Sequence, residues 1–115
     1  MKVMPIRYAA DVQASLRFYR ALGLEPDAVS RPGSWVELTG RSGAMALHAA
    51  GADSAGRCEL SFEADQPLET VAAQLRDAGI GAVDIVDEGF GRSLRTVDPD
   101  GVAVQVNESD RSLYT

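Results

Sequence analysis

The chain repeats itself, and that repetition constrains its fold more than any single stretch does. Arg20-Ala21-Leu22-Gly23-Leu24 is answered by Arg76-Asp77-Ala78-Gly79-Ile80. In each, an amphipathic segment is closed by glycine and the chain restarts on an aliphatic residue. Ahead of each segment lies a short apolar-leaning stretch, residues 2–9 in the first copy and Cys58–Ala64 in the second. In the latter, Leu60, Phe62 and Ala64 point one way while Glu59, Ser61 and Glu63 point the other. Behind each segment, a glycine turn leads into a closing strand: Gly43 before Ala44–Ala49, and Gly101 before Val102–Asn107. The copies cover about residues 1–50 and 57–108, with the small-residue linker Gly51–Gly56 between them. Two βαβββ units predict an α+β fold with an open, cup-shaped, eight-stranded sheet and a helix backing each half.

The individual elements follow from local chemistry. Asp11 is placed to cap a helix over 12–22 that carries Val12, Leu16, Tyr19 and Leu22 on one side. A loop rich in Pro26, Pro32 and Gly33 precedes a strand over 34–38. Asp65-Gln66-Pro67 starts a second helix over 68–78, with Leu68, Val71, Ala72 and Leu75 on its apolar stripe. Strands are then expected over 80–86 and 93–97, separated by the Gly89-Phe90-Gly91 loop. Asp98-Pro99-Asp100-Gly101 reads as a tight turn, because proline fixes φ and aspartate carboxylates accept from nearby backbone N–H groups. In the strand after it, Val102, Val104 and Val106 share one face, and Ala103, Gln105 and Asn107 share the other. The valine face reads as core and the amide face as a concave ligand surface. From about 109 the chain reads as a polar tail.

Composition narrows the function classes. At 115 residues the chain is expected to form a single domain, 1–115. A net charge of −6 argues against a nucleic-acid backbone partner and favours tolerance of cationic ligands. No apolar run approaches the roughly 20 residues that span a bilayer, and no signal-peptide core opens the chain. Cys58 is the only cysteine, so an intramolecular disulfide is impossible and a cytoplasmic setting is expected. No nucleophile elbow, P-loop or dinucleotide fingerprint is present.

Asp11 to Leu24, together with Val97-Asp98-Pro99-Asp100-Gly101 on a tandem repeat covering about 3–108, resembles the vicinal oxygen chelate superfamily. That group contains glyoxalases, extradiol dioxygenases, fosfomycin-resistance enzymes and bleomycin-resistance proteins. The resemblance implies a site in the cup, where catalytic members hold a divalent metal on His, Glu or Gln from the first and last strand of each half. Carried over, those positions are Met4, Ala46 or His48, Glu59 (or Cys58 if the register slips) and Gln105. Met4 is a poor ligand for a hard cation and Ala46 is none, leaving at best His48, Glu59 and Gln105 for one divalent ion. The resemblance therefore runs closest to bleomycin-resistance-type members, which bind a ligand without transforming it, usually as homodimers. No metal or other cofactor is expected on that reading. The alternative is a divalent-metal-dependent lyase or dioxygenase-like enzyme.

For a binding protein, the candidate ligand contacts are Trp35, Glu37, His48, Glu59, Arg92 and Gln105. If Val36 and Leu38 face the helix, Trp35 and Glu37 face the cup, where an indole stacks on a flat or cationic ligand and a carboxylate supplies counter-charge. Trp35 reads equally as core or dimer-interface packing. His48, the sole histidine, reads as ligand, base or donor, or as a strand-end residue satisfied by water or backbone. Arg92 reads as a loop residue reaching over the cup, or as a solvated surface arginine.

Overall fold

The elements of the computed structural model, which describes residues 1–110, follow the repeat in order. They are β1 (Lys2–Val3), β2 (Ile6–Ala9), α1 (Val12–Ala21), β3 (Glu25–Arg31), β4 (Trp35–Thr39), β5 (Ala44–Ala49), β6 (Cys58–Glu63), α2 (Leu68–Asp77), β7 (Asp84–Glu88), β8 (Gly91–Val97) and β9 (Ala103–Ser109). The described residues sort into two units: an N-terminal one, Met4–Glu59, and a C-terminal one, comprising Met1–Val3 and residues 60–110. No helix among the described residues is long and apolar enough to cross a membrane.

Each unit has the same topology. In the N-terminal unit the strand order is β3-β4-β5-β2, with β2 and β5 parallel and the other pairs antiparallel. In the C-terminal unit it is β7-β8-β9-β6, with β6 and β9 parallel and the other pairs antiparallel. Lys2 and Val3 of β1 add an antiparallel pairing to Glu63 and Phe62. The fold is thus α+β, a tandem pair of βαβββ modules.

The helices start and stop where the sequence indicates. The Asp11 carboxylate accepts from the Ala14 N–H at 3.0 Å, satisfying one orphan donor of α1. Gly23 and Gly79 follow the two helices at φ of 105° and 88°, a region that costs glycine nothing. In the first module α1 covers Ala9, Val36, Leu38 and Leu47. In the second, Leu68, Val71 and Ala72 of α2 cover Val83, Leu94 and Val106, with Phe62 and Ile85 packed at the margin. The turn before β9 forms as read, with Asp98 Oδ1 accepting from the N–H groups of both Asp100 and Val102 at 2.9 Å.

Four segments differ from the sequence reading, each for a physical reason. The stretch 2–9 is two strands, interrupted at Met4-Pro5 where proline has no N–H to give a ladder; the Pro5 carbonyl instead accepts from Ala46 N–H at 2.9 Å. The proline-containing loop after α1 is the strand β3. Among the described residues it lies at the edge of its unit, paired there to β4 alone, and its ladder shifts register between Pro26 and Ser30, so a missing donor is tolerated. The strand expected from Ile80 begins at Asp84. Ile80 and Val83 serve the α2 core from irregular backbone, and their apolarity mimics a strand. Finally, β8 begins at Gly91, inside the expected loop. A side chain there would place its Cβ 2.2 Å from the Glu108 carbonyl oxygen, so only glycine permits β9 to lie that close. β9 runs through Ser109; residues 111–115 of the expected polar tail lie outside the described residues.

Candidate functional site

Alternation along the strands of the N-terminal unit sends Val36, Leu38 and Leu47 toward α1 and the intervening residues to the opposite face. Register then arranges that face into two rows. Trp35 pairs with His48, and His48 with Tyr8. Tyr8 in turn meets Arg57, whose carbonyl accepts the Tyr8 N–H at 2.9 Å. The next row is Glu37 beside Ala46, Ala46 beside Ile6, and Ile6 beside Glu59.

The first row is a chain of ring contacts. The Trp35 and His48 rings meet edge-on with centroids 5.9 Å apart, and the His48 and Tyr8 rings are 5.2 Å apart and tilted by 39°. The Arg57 guanidinium lies over the Tyr8 ring, 4.5 Å from its centroid, a cation–π arrangement. The second row places a carboxylate at each end and apolar side chains between. Each carboxylate is held by an aromatic donor of the first row. Trp35 Nε1–H donates to Glu37 Oε2 at 3.0 Å, and Tyr8 O–H donates to Glu59 Oε2 at 2.7 Å. Glu37 is only 3% exposed, an unusual place for a carboxylate. His48 Nδ1 is 2.6 Å from the Ala49 carbonyl oxygen. Because a carbonyl only accepts, Nδ1 carries the hydrogen and the neutral ring keeps its lone pair on Nε2.

The C-terminal unit presents different chemistry on the face turned away from α2. Ser61, Ser93, Gln105 and Asn107 are all buried there. Asn107 Nδ2 donates to Ser61 Oγ at 3.1 Å and to Gln105 Oε1 at 2.9 Å. Arg95 continues the network, donating from Nε to Ser93 Oγ at 2.9 Å and from a terminal nitrogen to Glu88 at 2.8 Å.

Of the residues singled out from sequence, Trp35, Glu37, His48 and Glu59 therefore share one face of the N-terminal unit, while Gln105 lies in the amide network of the C-terminal unit. Arg92 stands apart from both faces. It lies in β8 rather than in a loop, and forms a two-pronged ion pair with Glu69 of α2, at 2.5 and 3.0 Å, and another with Glu108 at 2.9 Å. The Arg92 guanidinium draws the Glu69 carboxyl down to about 2, and the two carboxylates raise the arginine further. This arginine ties the first turn of α2 to β8 and β9. Two site residues were not singled out, Tyr8 and Arg57. Tyr8 was legible as the residue two beyond Ile6 on the same strand face; Arg57 was hidden at the end of the linker.

The donor set in the N-terminal unit does not fit a divalent cation. Ala46 and Ile6, which hold the middle of the second row between Glu37 and Glu59, offer no ligand atom. Among the described residues, no three His, Cys, Asp or Glu side chains gather as a metal site requires.

No family model matches the chain, and no curated protein matches it. Solved structures do. The crystal structure of NAD-dependent benzaldehyde dehydrogenase from Legionella pneumophila matches with a TM-score of 0.72 at 20% identity, covering 94% of this chain and 99% of that one. A glyoxalase/bleomycin resistance protein/dioxygenase superfamily member from Vibrio splendidus 12B01 matches with a TM-score of 0.60 at 17% identity, covering 91% and 96%. A catechol 2,3-dioxygenase matches with a TM-score of 0.58 at 18% identity, covering 95% of this chain and 40% of that larger one. Over most of its length, then, the chain has the fold of glyoxalase/bleomycin resistance/dioxygenase superfamily structures.

Proposed function

We propose that this protein is a small-molecule-binding protein of the glyoxalase/bleomycin-resistance type. In this reading it sequesters a partly aromatic or cationic ligand against the Trp35–His48–Tyr8 face of the N-terminal unit, without a metal and without transforming it. The observation that carries the reading is the pairing of that ring row with Glu37 and Glu59, each carboxylate fixed by an aromatic donor. Indole, phenol and imidazole supply flat apolar area with little conformational entropy to lose, and oriented carboxylates supply direction and charge preference. A homodimer belongs to the proposal. In support, β3 and β7 each have one strand partner within their unit among the described residues, leaving backbone groups that a second copy can cover.

Trp35 is the only tryptophan, so its emission reports on this face alone. Titration of the purified protein with flat aromatic cations is expected to give saturable quenching, with the ligand recovered chemically unchanged. Consumption of the ligand during incubation would replace sequestration by catalysis. A stoichiometric divalent ion in unchelated protein would overturn the metal-free reading. Sedimentation at micromolar concentration tests the dimer.

A further inference from the structure

The ring row ends on a charge that the chain itself supplies. Arg57 is exposed, and its guanidinium rests on the π face of Tyr8 at 4.5 Å. The same phenol ring meets the His48 ring at 5.2 Å between centroids, and its hydroxyl is committed to Glu59. The cross-strand position of Arg57 is that of Tyr8, and Glu59 lies two residues further along the same strand face. A planar cation therefore already sits where the quadrupole of the Tyr8 ring and the nearby Glu59 carboxylate attract one. Arg57 has little holding it in that place beyond this attraction, since no ion pair to it is formed at salt-bridge distance among the described residues.

We infer that the Tyr8 ring face is a subsite for a planar organic cation, an amidinium or guanidinium group, and that Arg57 is its resident occupant, which a ligand must displace. The inference rests on the proposed binding role of this face and specifies its ligand class. Arg57 then sets specificity by competition. A neutral ligand of the same shape gains no charge attraction to offset the loss of the Arg57 contact, whereas a cation replaces one cation–π contact with another. The swap leaves the Tyr8 hydroxyl on Glu59 undisturbed.

The test uses benzamidinium and its neutral isostere benzamide, titrated against the full chain and against Arg57→Met, with Trp35 emission as readout. Methionine keeps an unbranched stem and removes the charge and the planar guanidinium. Benzamidinium is expected to bind Arg57→Met about three- to fivefold more tightly than the unmodified chain, the factor that an exposed cation–π contact sets. Tyr8→Leu is expected to abolish this gain. Benzamide is expected to bind both proteins more weakly than benzamidinium. Equal benzamidinium affinity for both proteins, or weaker binding by Arg57→Met, would overturn the displacement and leave the binding role standing. Absence of saturable binding to either protein would overturn both.

Discussion

The two units of this chain are built to one plan on the side that faces their helices and to two plans on the other. Leu38 and Leu47 under α1 correspond in role to Leu94 and Val106 under α2, all buried and all aliphatic. On the opposite faces the N-terminal unit carries three aromatic rings and two carboxylates, and the C-terminal unit carries two serines and two amides in a hydrogen-bonded network. The difference shows which positions the fold itself dictates. A helix packed on a sheet fixes volume and apolarity beneath it to within a methylene or so. The other face is bound only by the rule that buried polar groups find partners, and that rule has many solutions.

The comparison is broken most directly at the helix-facing positions. Leu38→Ala and Leu94→Ala are each expected to destabilise by about 2–5 kcal/mol, with overlapping losses of urea midpoint at unchanged slope. A change at only one of the two sites would show that the cores are not equivalent. The next largest effect is expected on the amide face. Asn107→Ala removes the donor to both Ser61 Oγ and Gln105 Oε1, which are buried, and a loss of about 1–3 kcal/mol in the same titration is expected.

Glu69→Gln sharpens the contrast with pH. The Glu69 carboxyl lies at about 2 in the folded chain, below its ordinary 4.5, because Arg92 favours the charged form. Its contribution is therefore complete above about pH 4.5 and is lost as pH falls toward 2. Glu69→Gln is expected to lower stability at neutral pH and to flatten the acid limb of the stability profile between those values. The smallest effect is expected at His48. It is exposed, and His48→Ala should leave stability within about 0.5 kcal/mol while shifting Trp35 emission through loss of the edge contact. A large loss of stability there would make the ring row a packing device.

Sequence pattern reached the repeat, both helices, the Asp98 turn and the shared face of Trp35 and Glu37, because each is decided within a few residues by periodicity, a cap or a glycine. It did not reach β3, since an edge strand can carry Pro26 without losing a needed ladder bond. It placed Arg92 in a loop, because its partners Glu69 and Glu108 lie 23 and 16 residues away and only the fold brings them together. Arg57 was hidden for the converse reason: it follows a linker of small residues, and only register sets it opposite Tyr8. His48 and Glu59 were legible as residues but not as neighbours of Tyr8, since strand pairing is a long-range choice.

The parallel pairing of first and last strand in each unit has a consequence for how the chain is made. β3, β4 and β5 can form as a local meander, but β2 has no partner among them until β5 exists, and β6 has none among its successors until β9 does. Within its own module, the leading strand is therefore completed only by the strand that is made last. Closing that pair orders far more chain than closing a hairpin does, so each module carries its largest loop-closure cost in the parallel pairing of its first and last strand.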